Sequence, residues 1–373
     1  MRILYISSID YRFAIKQRPQ YFAELLSQWH NIDFLSFTDW YALSQIIKGK
    51  QKIQSLNTSK NTSNNLHIYF ILRLPLNRWR IVFYINNLIK KYYFQILLKK
   101  NRYDYIIITN PIDYALLTKN TKSLIVYDCI DKMDTFIKNK KLKVIINCLE
   151  EKLTKEATFV TCVSKALQQF LSQYKQDVFL IKNGVNLELY QNIKFKDFGL
   201  DPQIKKIGFI GAIGDWVDVN LINEAAKKLQ NIQFYWIGPL ITNNANDLVK
   251  NKNTSYLGVY PAADIPALIQ NLDICLLPFK LSNTAKYANP VKVYEYLALG
   301  KPVLARYYPE LKEEFGDLIY YYQNKQEFIE LAHKILSKQE SPDLIEERKQ
   351  FARNNSWQMR VQQFNNLLQS YRQ

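Results

Sequence analysis

The amino-acid sequence predicts an α/β protein of two tandem domains, each a parallel sheet wrapped by helices. Three observations carry that prediction. The chain has 373 residues, more than twice the usual size of one domain. Short apolar runs alternate with amphipathic stretches along both halves, the pattern of strands joined by crossover helices. Between the halves, residues 191–205 are polar, carry Gly199 and Pro202, and show no periodicity. Domains are therefore expected at 1–184 and 206–355, with 185–205 as a linker. Residues 356–373 are expected as a C-terminal helix free to pack back on the first domain.

Each element follows from local chemistry. Ile3–Ile6 predicts a first strand, followed by a loop through Asp10 and a helix near Pro19–Trp29. Ile32–Phe37 and Ile68–Leu72 predict two further strands, and the polar run Asn57–Asn65 predicts a loop between them. A long basic and aromatic helix is expected near Arg78–Lys100. Strands follow at Tyr105–Thr109, Leu124–Tyr127 and Phe159–Val163, with a seventh at Val178–Ile181. Ser164 is placed to cap the helix after the sixth. In the second half, strands are expected near Ile207–Ile210, Phe234–Ile237, Ser255–Leu257, Ile274–Leu277, Val303–Ala305 and Leu318–Tyr321. Helices near Val219–Leu229, Asp264–Gln270 and Pro290–Leu299 lie between them. Two more, near Glu327–Ser337 and Met359–Tyr371, close the chain. Such folds bind ligands beyond the carboxyl ends of their strands, so a shared cleft is expected around Gly211–Trp216 and Pro278–Asn289.

Composition narrows the class. With 48% hydrophobic and 14% aromatic residues, the chain is a folded protein and not a disordered one. Cys129, Cys148, Cys162 and Cys275 show no paired spacing, which argues for reduced core thiols and against structural zinc or a disulfide framework. His30, His67 and His333 form no metal pattern. The first apolar run is too short for a secretory signal. No uncharged run reaches the roughly 18 residues of a membrane span.

Net charge is +17, unevenly spread. Residues 1–184 hold 28 Lys and Arg against 13 Asp and Glu; residues 185–373 hold 22 against 20. Compositional drift would charge both halves alike, so the first half is expected to meet a polyanion or an anionic membrane surface. The Arg78–Lys100 stretch mixes aromatics with Lys90, Lys91, Lys99 and Lys100. A helix of that kind can lie in a membrane interface, or can be a crossover helix with solvated lysines.

The run from Asn289 to Val303 reads as a short helix with a site in its first two turns. Asn289 is a good cap and Pro290 suits the first helical position; Gly300 and Pro302 end the helix. Open amides there favour an anion, and Lys292, beside the amide of Val291, adds a full charge. Glu295 follows about one turn on along the same face. A cation for a diphosphate and a carboxylate for sugar hydroxyls suit a nucleotide-sugar. The plainer reading is a surface pair of Lys292 and Glu295, worth roughly 0.2–0.5 kcal/mol.

Eight pieces in order over some 180 residues then resemble one family. They are Ile125–Asp131, Val163-Ser164 with Leu167, Ile181–Asn186, Gly208–Gly211, Trp236–Pro239, Leu257–Val259, Asp273–Phe279 and the helix above. The chain resembles the GT-B fold glycosyltransferases, particularly the group-1, family-four-like enzymes that build bacterial surface polysaccharides. The resemblance implies two Rossmann-like domains facing each other across a cleft, the second holding a nucleoside diphosphate sugar and the first an acceptor. Glu295 would then bond the ribose, while Lys292 and the amides around Val291 meet the diphosphate beside Asn289. Gly211 would let the backbone approach that diphosphate, and Gly258-Val259 would line the base. Two positions depart from the family: Tyr287 stands where many members carry a second Glu, and Gly211–Trp216 lacks the usual Arg or Lys.

For an inverting transfer the candidate bases are Asp131 and Asp128, at the carboxyl end of Leu124–Tyr127, with Asp10 a third. The competing reading has Asp128 or Asp131 capping the next helix. No metal and no cofactor beyond the donor sugar are expected. The expected function is a hexosyltransferase using a UDP-type donor and a glycan or lipid-linked acceptor. It would be cytoplasmic and peripheral on the inner face of the membrane, with no nucleic-acid partner. The alternatives are a nucleotide-sugar epimerase or a non-enzymatic polyanion binder.

Overall fold

Apolar runs bounded by polar loops become two wholly parallel sheets. The computed structural model describes the chain except residues 12–15, 39–64, 73, 75–79, 118–120, 192, 195, 242–244 and 373. The loop expected at Asn57–Asn65 lies outside the described residues save Asn65, as do Arg78 and Trp79 of the long helix. One sheet contains β1 (Arg2–Ser7), β2 (Asn31–Thr38), β3 (Leu66–Leu72), β4 (Tyr105–Ile108), β5 (Leu124–Cys129), β6 (Phe159–Cys162) and β7 (Val178–Leu180). The other contains β8 (Lys205–Ile210), β9 (Ile232–Ile237), β10 (Thr254–Gly258), β11 (Ile274–Leu277), β12 (Val303–Arg306) and β13 (Tyr320–Tyr322). Their orders are β3-β2-β1-β4-β5-β6-β7 and β10-β9-β8-β11-β12-β13. Each chain segment starts inside its sheet, winds outward one way, then returns and winds the other. The order therefore reverses between β1 and β4 and between β8 and β11, the doubly wound Rossmann-like topology.

Strands covered on both faces need apolar residues at successive positions. β4, β6 and β11 are buried throughout. In the second sheet, alternate residues feed two layers. Ile274 and Leu276 pack with Phe209 and Trp236, whereas Cys275 and Leu277 pack with Tyr294, Tyr296 and Leu297. Side-chain caps start several helices: Ser164 accepts from the Leu167 amide at 3.2 Å, as its position predicts, and Asn139 from Leu142 at 3.1 Å. The helices Lys140–Glu156, Pro309–Phe315 and Pro342–Asn354 go beyond those expected.

The chain divides into two compact units, Met1–Ile181 with Val361–Gln373, and Lys182–Arg360. Residues 185–205 thus belong to the second unit. Val185 and Tyr190 are in its core, and Val185 exchanges backbone hydrogen bonds with Asn355 (3.1 Å) and Trp357 (3.0 Å). Residues 361–373 belong to the first. There Phe364 packs edge-on against Phe22, the Tyr105 hydroxyl donates to the Leu368 carbonyl at 2.6 Å, and His30 meets Asn365 at 2.6 Å.

The first unit has a buried electrostatic seam. Arg18, near the start of the helix Arg18–Leu26, donates from Nε and Nη2 to the Asp128 carboxylate on β5 at 3.0 and 2.8 Å. Its Nη1 donates to the Ile181 carbonyl at 2.8 Å. Both side chains are at most 1% exposed. Arg18→Met should lower the unfolding free energy by about 3–5 kcal/mol, because it leaves Asp128 as an uncompensated buried charge. Urea unfolding measures this, and an unchanged midpoint would contradict the seam.

Candidate functional site

At the carboxyl edge of the second sheet, glycines set how closely the strand ends approach. The Gly211 amide donates to the Ile237 carbonyl at 2.9 Å. A Cβ on Gly238 would come 2.1 Å from the Gly211 carbonyl oxygen, and Gly238 has φ +129°. Only glycine fits there. The Gly238 amide donates to Gly258 at 2.8 Å, and Gly258, with φ +83°, ends β10 before the exposed Val259. Beyond Gly211 the loop crosses toward β11. The Asp218 amide donates to Pro278 at 2.7 Å and the Lys280 amide to Trp216 at 2.8 Å, while the Trp216 ring covers Gly214. Gly211, Gly258 and Val259 therefore lie at strand ends on the edge where the order reverses.

The helix after β11 runs Val291–Ala298. Its cap is Pro290, in an extended conformation with no side-chain cap bond, so Asn289 is not the cap and Pro290 is not the first helical residue. Asn289 is buried instead. Its Oδ1 accepts from the Asn183 amide (2.8 Å), its carbonyl accepts from Asn183 Nδ2 (2.7 Å), and its Nδ2 donates to the Tyr294 hydroxyl (3.1 Å). Tyr294 donates onward to Glu314 at 2.8 Å, and Glu314 pairs with Lys182. Burial pushes the Tyr294 hydroxyl up to about 12, so it remains a donor at neutral pH. Asn289 is an anchor of the helix start, its side chain engaged within the unit, which corrects its expected place among donor ligands. Sequence spacing offers no sign of this network, because Asn183 and Asn289 are 106 residues apart.

With no side-chain cap, the Val291 and Lys292 amides stand open at the helix start among the described residues. Lys292 Nζ lies 2.7 Å from Glu295 Oε2, with each side chain under one-fifth exposed. The structure thus brings Val291, Lys292 and Glu295 together, with the last two paired. The far end closes with Gly300 at φ +67°; its amide donates to Leu297 at 2.9 Å and the Lys301 amide to Tyr296 at 3.1 Å. That is a Schellman end.

In the first unit the two aspartates separate. Asp128 is fully buried and, besides Arg18, accepts from Thr161 Oγ1 at 2.7 Å and the Tyr5 hydroxyl at 3.2 Å. It has no path to a substrate, which corrects its candidacy as a base. Asp131, after β5, exposes its side chain, and its carboxylate makes no hydrogen bond or ion pair among the described residues. The surrounding protein pushes this carboxyl up to about 6 by desolvation. The group is still mostly ionised at neutral pH. Neither aspartate caps a helix: the next turn, Met133–Phe136, follows Lys132 with no side-chain cap bond. Asp10 is half-buried beyond β1. Among the described residues, no group of three or more His, Cys, Asp or Glu is placed to hold a metal ion.

Residues 219–366 match the family model described as glycosyl transferase-like. The Bacillus subtilis (strain 168) protein named "Putative teichuronic acid biosynthesis glycosyltransferase TuaH" is 27% identical over 212 residues, 52% of this chain and 53% of that protein. The match thus spans about half the length of each. Among solved structures, sucrose-phosphate synthase of Thermosynechococcus elongatus superposes with a TM-score of 0.78 at 12% identity, over 99% of this chain and 98% of the other. Anabaena HepE in complex with UDP-glucose does so at 0.70 and 16%, over 99% and 100%. A glycosyltransferase from Rickettsia africae gives 0.69 and 16%, over 99% and 98%. These likenesses show the fold, two Rossmann-like units of the GT-B type.

Asn289→Ala should destabilise the second unit by about 1–3 kcal/mol, the penalty of leaving the buried Asn183 amide without an acceptor. Chemical unfolding checks it; a loss under half a kcal/mol would mean that water replaces the side chain.

Proposed function

We propose that this protein is a glycosyltransferase that moves a sugar from a nucleoside diphosphate sugar to a glycan or lipid-linked acceptor in surface polysaccharide synthesis. One observation carries the reading. The start of the Val291–Ala298 helix offers two open amides, a lysine and, one turn on, a carboxylate, beside the reversal of strand order. This helix lies within the region that matches the glycosyl transferase-like family. The UDP-glucose held by the Anabaena relative supports a UDP-sugar donor, and the name of the Bacillus relative supports a surface polysaccharide.

In this reading the Val291 and Lys292 amides and the Lys292 ammonium take the diphosphate, where the helix dipole favours negative charge. Glu295 accepts from the ribose hydroxyls, exchanging its bond to Lys292 for bonds to the donor. Gly211 leaves room for the phosphates, and Gly258 and Val259 line the base. As the sugar–phosphate bond breaks, charge develops on the leaving diphosphate, and fixed amides and Lys292 stabilise it there. For a transfer that inverts the sugar's configuration, Asp131 takes the proton of the acceptor hydroxyl as the new glycosidic bond forms.

The acceptor side is proposed to work at an anionic membrane surface, from the cytoplasmic face. The helix Arg80–Lys100 turns Asn86, Lys90, Phe94 and Leu97 inward. Outward it shows Ile81, Tyr84, Ile85, Leu88 and Tyr92, which are 75%, 64%, 37%, 49% and 66% exposed. Their spacing places them on one face, an apolar stripe that water does not favour. The unit that carries the stripe also carries the excess cations, so an anionic bilayer complements it in both polarity and charge. Lys90 is not among the lipid-facing lysines, which corrects that expectation. It is buried, 2.8 Å from Asp113 Oδ1 and 3.9 Å from the Phe37 ring centroid. Lys91, Lys99 and Lys100 are exposed. Among the described residues, no helix is long and apolar enough to cross a membrane.

Calorimetry tests the donor site. Lys292→Ala should weaken UDP and UDP-glucose binding by roughly 1.5–3 kcal/mol and leave uridine unaffected, as expected for charge-assisted hydrogen bonds to the diphosphate. Glu295→Ala should weaken all three ligands. Equal losses of UDP and uridine on replacing Lys292 would remove it from the phosphate site.

Vesicle sedimentation tests the surface. At about 1 kcal/mol per cation, replacing Lys91, Lys99 and Lys100 by Gln should lower binding to anionic vesicles by about two orders of magnitude. Leu88→Ser should lower it further, with donor binding unchanged. Equal recovery on neutral and anionic lipid would reject the membrane reading.

A further inference from the structure

The residues on both sides of Asp131 are locked. Cys129 ends β5 in the interior, and its Sγ donates to the Asp131 carbonyl at 3.7 Å. Lys132, on the other side, is only 5% exposed. Its Nζ donates to Glu150 Oε2 at 2.5 Å and Asn147 Oδ1 at 2.7 Å, and lies 2.9 Å from Asp134 Oδ1. The ammonium is thereby held by two hydrogen bonds and one further ion pair. The Phe170 ring centroid lies 4.4 Å from the same nitrogen. The Lys132 carbonyl is held as well, by the Thr135 amide at 3.0 Å and hydroxyl at 2.7 Å. Glu150, 1% exposed on the helix Lys140–Glu156, also accepts from the Tyr127 hydroxyl on β5 at 3.0 Å.

As packing, this arrangement is a poor choice. Burying a lysine and a glutamate costs several kcal/mol per ion, and apolar residues of similar volume often hold two elements together equally well. What the pair supplies is a fixed direction: a short loop pinned on both sides, with one free carboxylate projecting from it.

We propose that Lys132, clamped by Glu150, is the positioning residue for Asp131, fixing the loop so that the carboxylate meets the acceptor hydroxyl in a reactive pose. This rests on the reading of Asp131 as the base. A group held in its reacting geometry before substrate arrives removes an orientational cost from the barrier. Desolvation also pushes the Asp131 carboxyl toward about 6, closer to working pH than an ordinary carboxylate. A base must be deprotonated, so the wild-type rate should fall as pH drops through about 6.

The test replaces the pair by apolar side chains of similar length, Lys132→Met with Glu150→Met. The assay is UDP release from UDP-glucose with water as acceptor, across pH 5–8. In parallel, a carbon-13 carboxyl titration is assigned by the signal lost in Asp131→Asn. The double variant should fold and keep its KM for UDP-glucose, but lose roughly tenfold or more in kcat. Its Asp131 should titrate below the wild-type value, because a loosened loop hydrates the carboxylate. A folded double variant with wild-type kcat and wild-type titration overturns the proposal. If the double variant does not fold, Tyr127→Phe, which removes only the hydroxyl bond to Glu150, should show a smaller kcat loss at unchanged KM; no loss overturns the proposal. Asp131→Asn separates the two readings. A wild-type rate there overturns the base assignment and the positioning with it, whereas a large loss there beside an unaffected double variant overturns the positioning alone.

Discussion

A parallel strand cannot be reached from its neighbour by a tight turn, and most of this protein's organisation follows from that constraint. Each crossover returns over a face of the sheet, so both faces are covered and most strand positions must be apolar. The polar ones that remain, such as Asp128 and Thr161, need buried partners. Chemistry is thereby displaced to the carboxyl edges, where polar backbone is free and the strand order reverses. Gly211, Gly258 and the start of the Val291–Ala298 helix lie at that edge in the second unit, and Asp131 at the corresponding edge in the first.

The helix that carries Lys292 and Glu295 is held at both ends by polar contacts from distant segments. At its start, Asn289 takes two hydrogen bonds from Asn183. Beyond its end, the fully buried Arg348 donates to the Gly300 carbonyl at 3.2 Å and to the Leu318 carbonyl at 2.7 Å, and pairs with Glu340. A cation beside the last carbonyls also suits the negative end of the helix dipole. An eight-residue helix is too short to be stable alone, so its geometry depends on these anchors.

Legibility in the sequence followed the range of the interaction. Every strand expected from an apolar run is present, because burial on both faces is written locally. The Lys140–Glu156 helix was not legible: Glu150 and Thr154 face inward while Val144 and Ile145 are exposed, which inverts the usual amphipathic signal. The Pro342–Asn354 helix was hidden similarly, since Arg348 is among its buried residues. Asp128 and Asp131 read alike in sequence. What separates them is Arg18, 110 residues away, which claims one and leaves the other. Asn289 looked like a cap for the same reason, its true partner being distant.

The contact of Lys90 with Asp113 has a consequence for the helix Arg80–Lys100 as a whole. That buried ion pair, together with the inward Asn86, Phe94 and Leu97, sets the roll of the helix about its axis and keeps its outer face outward. The stripe from Ile81 to Tyr92 is thus decoupled from the core, and substitutions on such a surface usually change stability by no more than about 0.5 kcal/mol. The chemistry of the outer face and foldedness become separate variables in one helix. A lineage can drift along the first while the second stays constant.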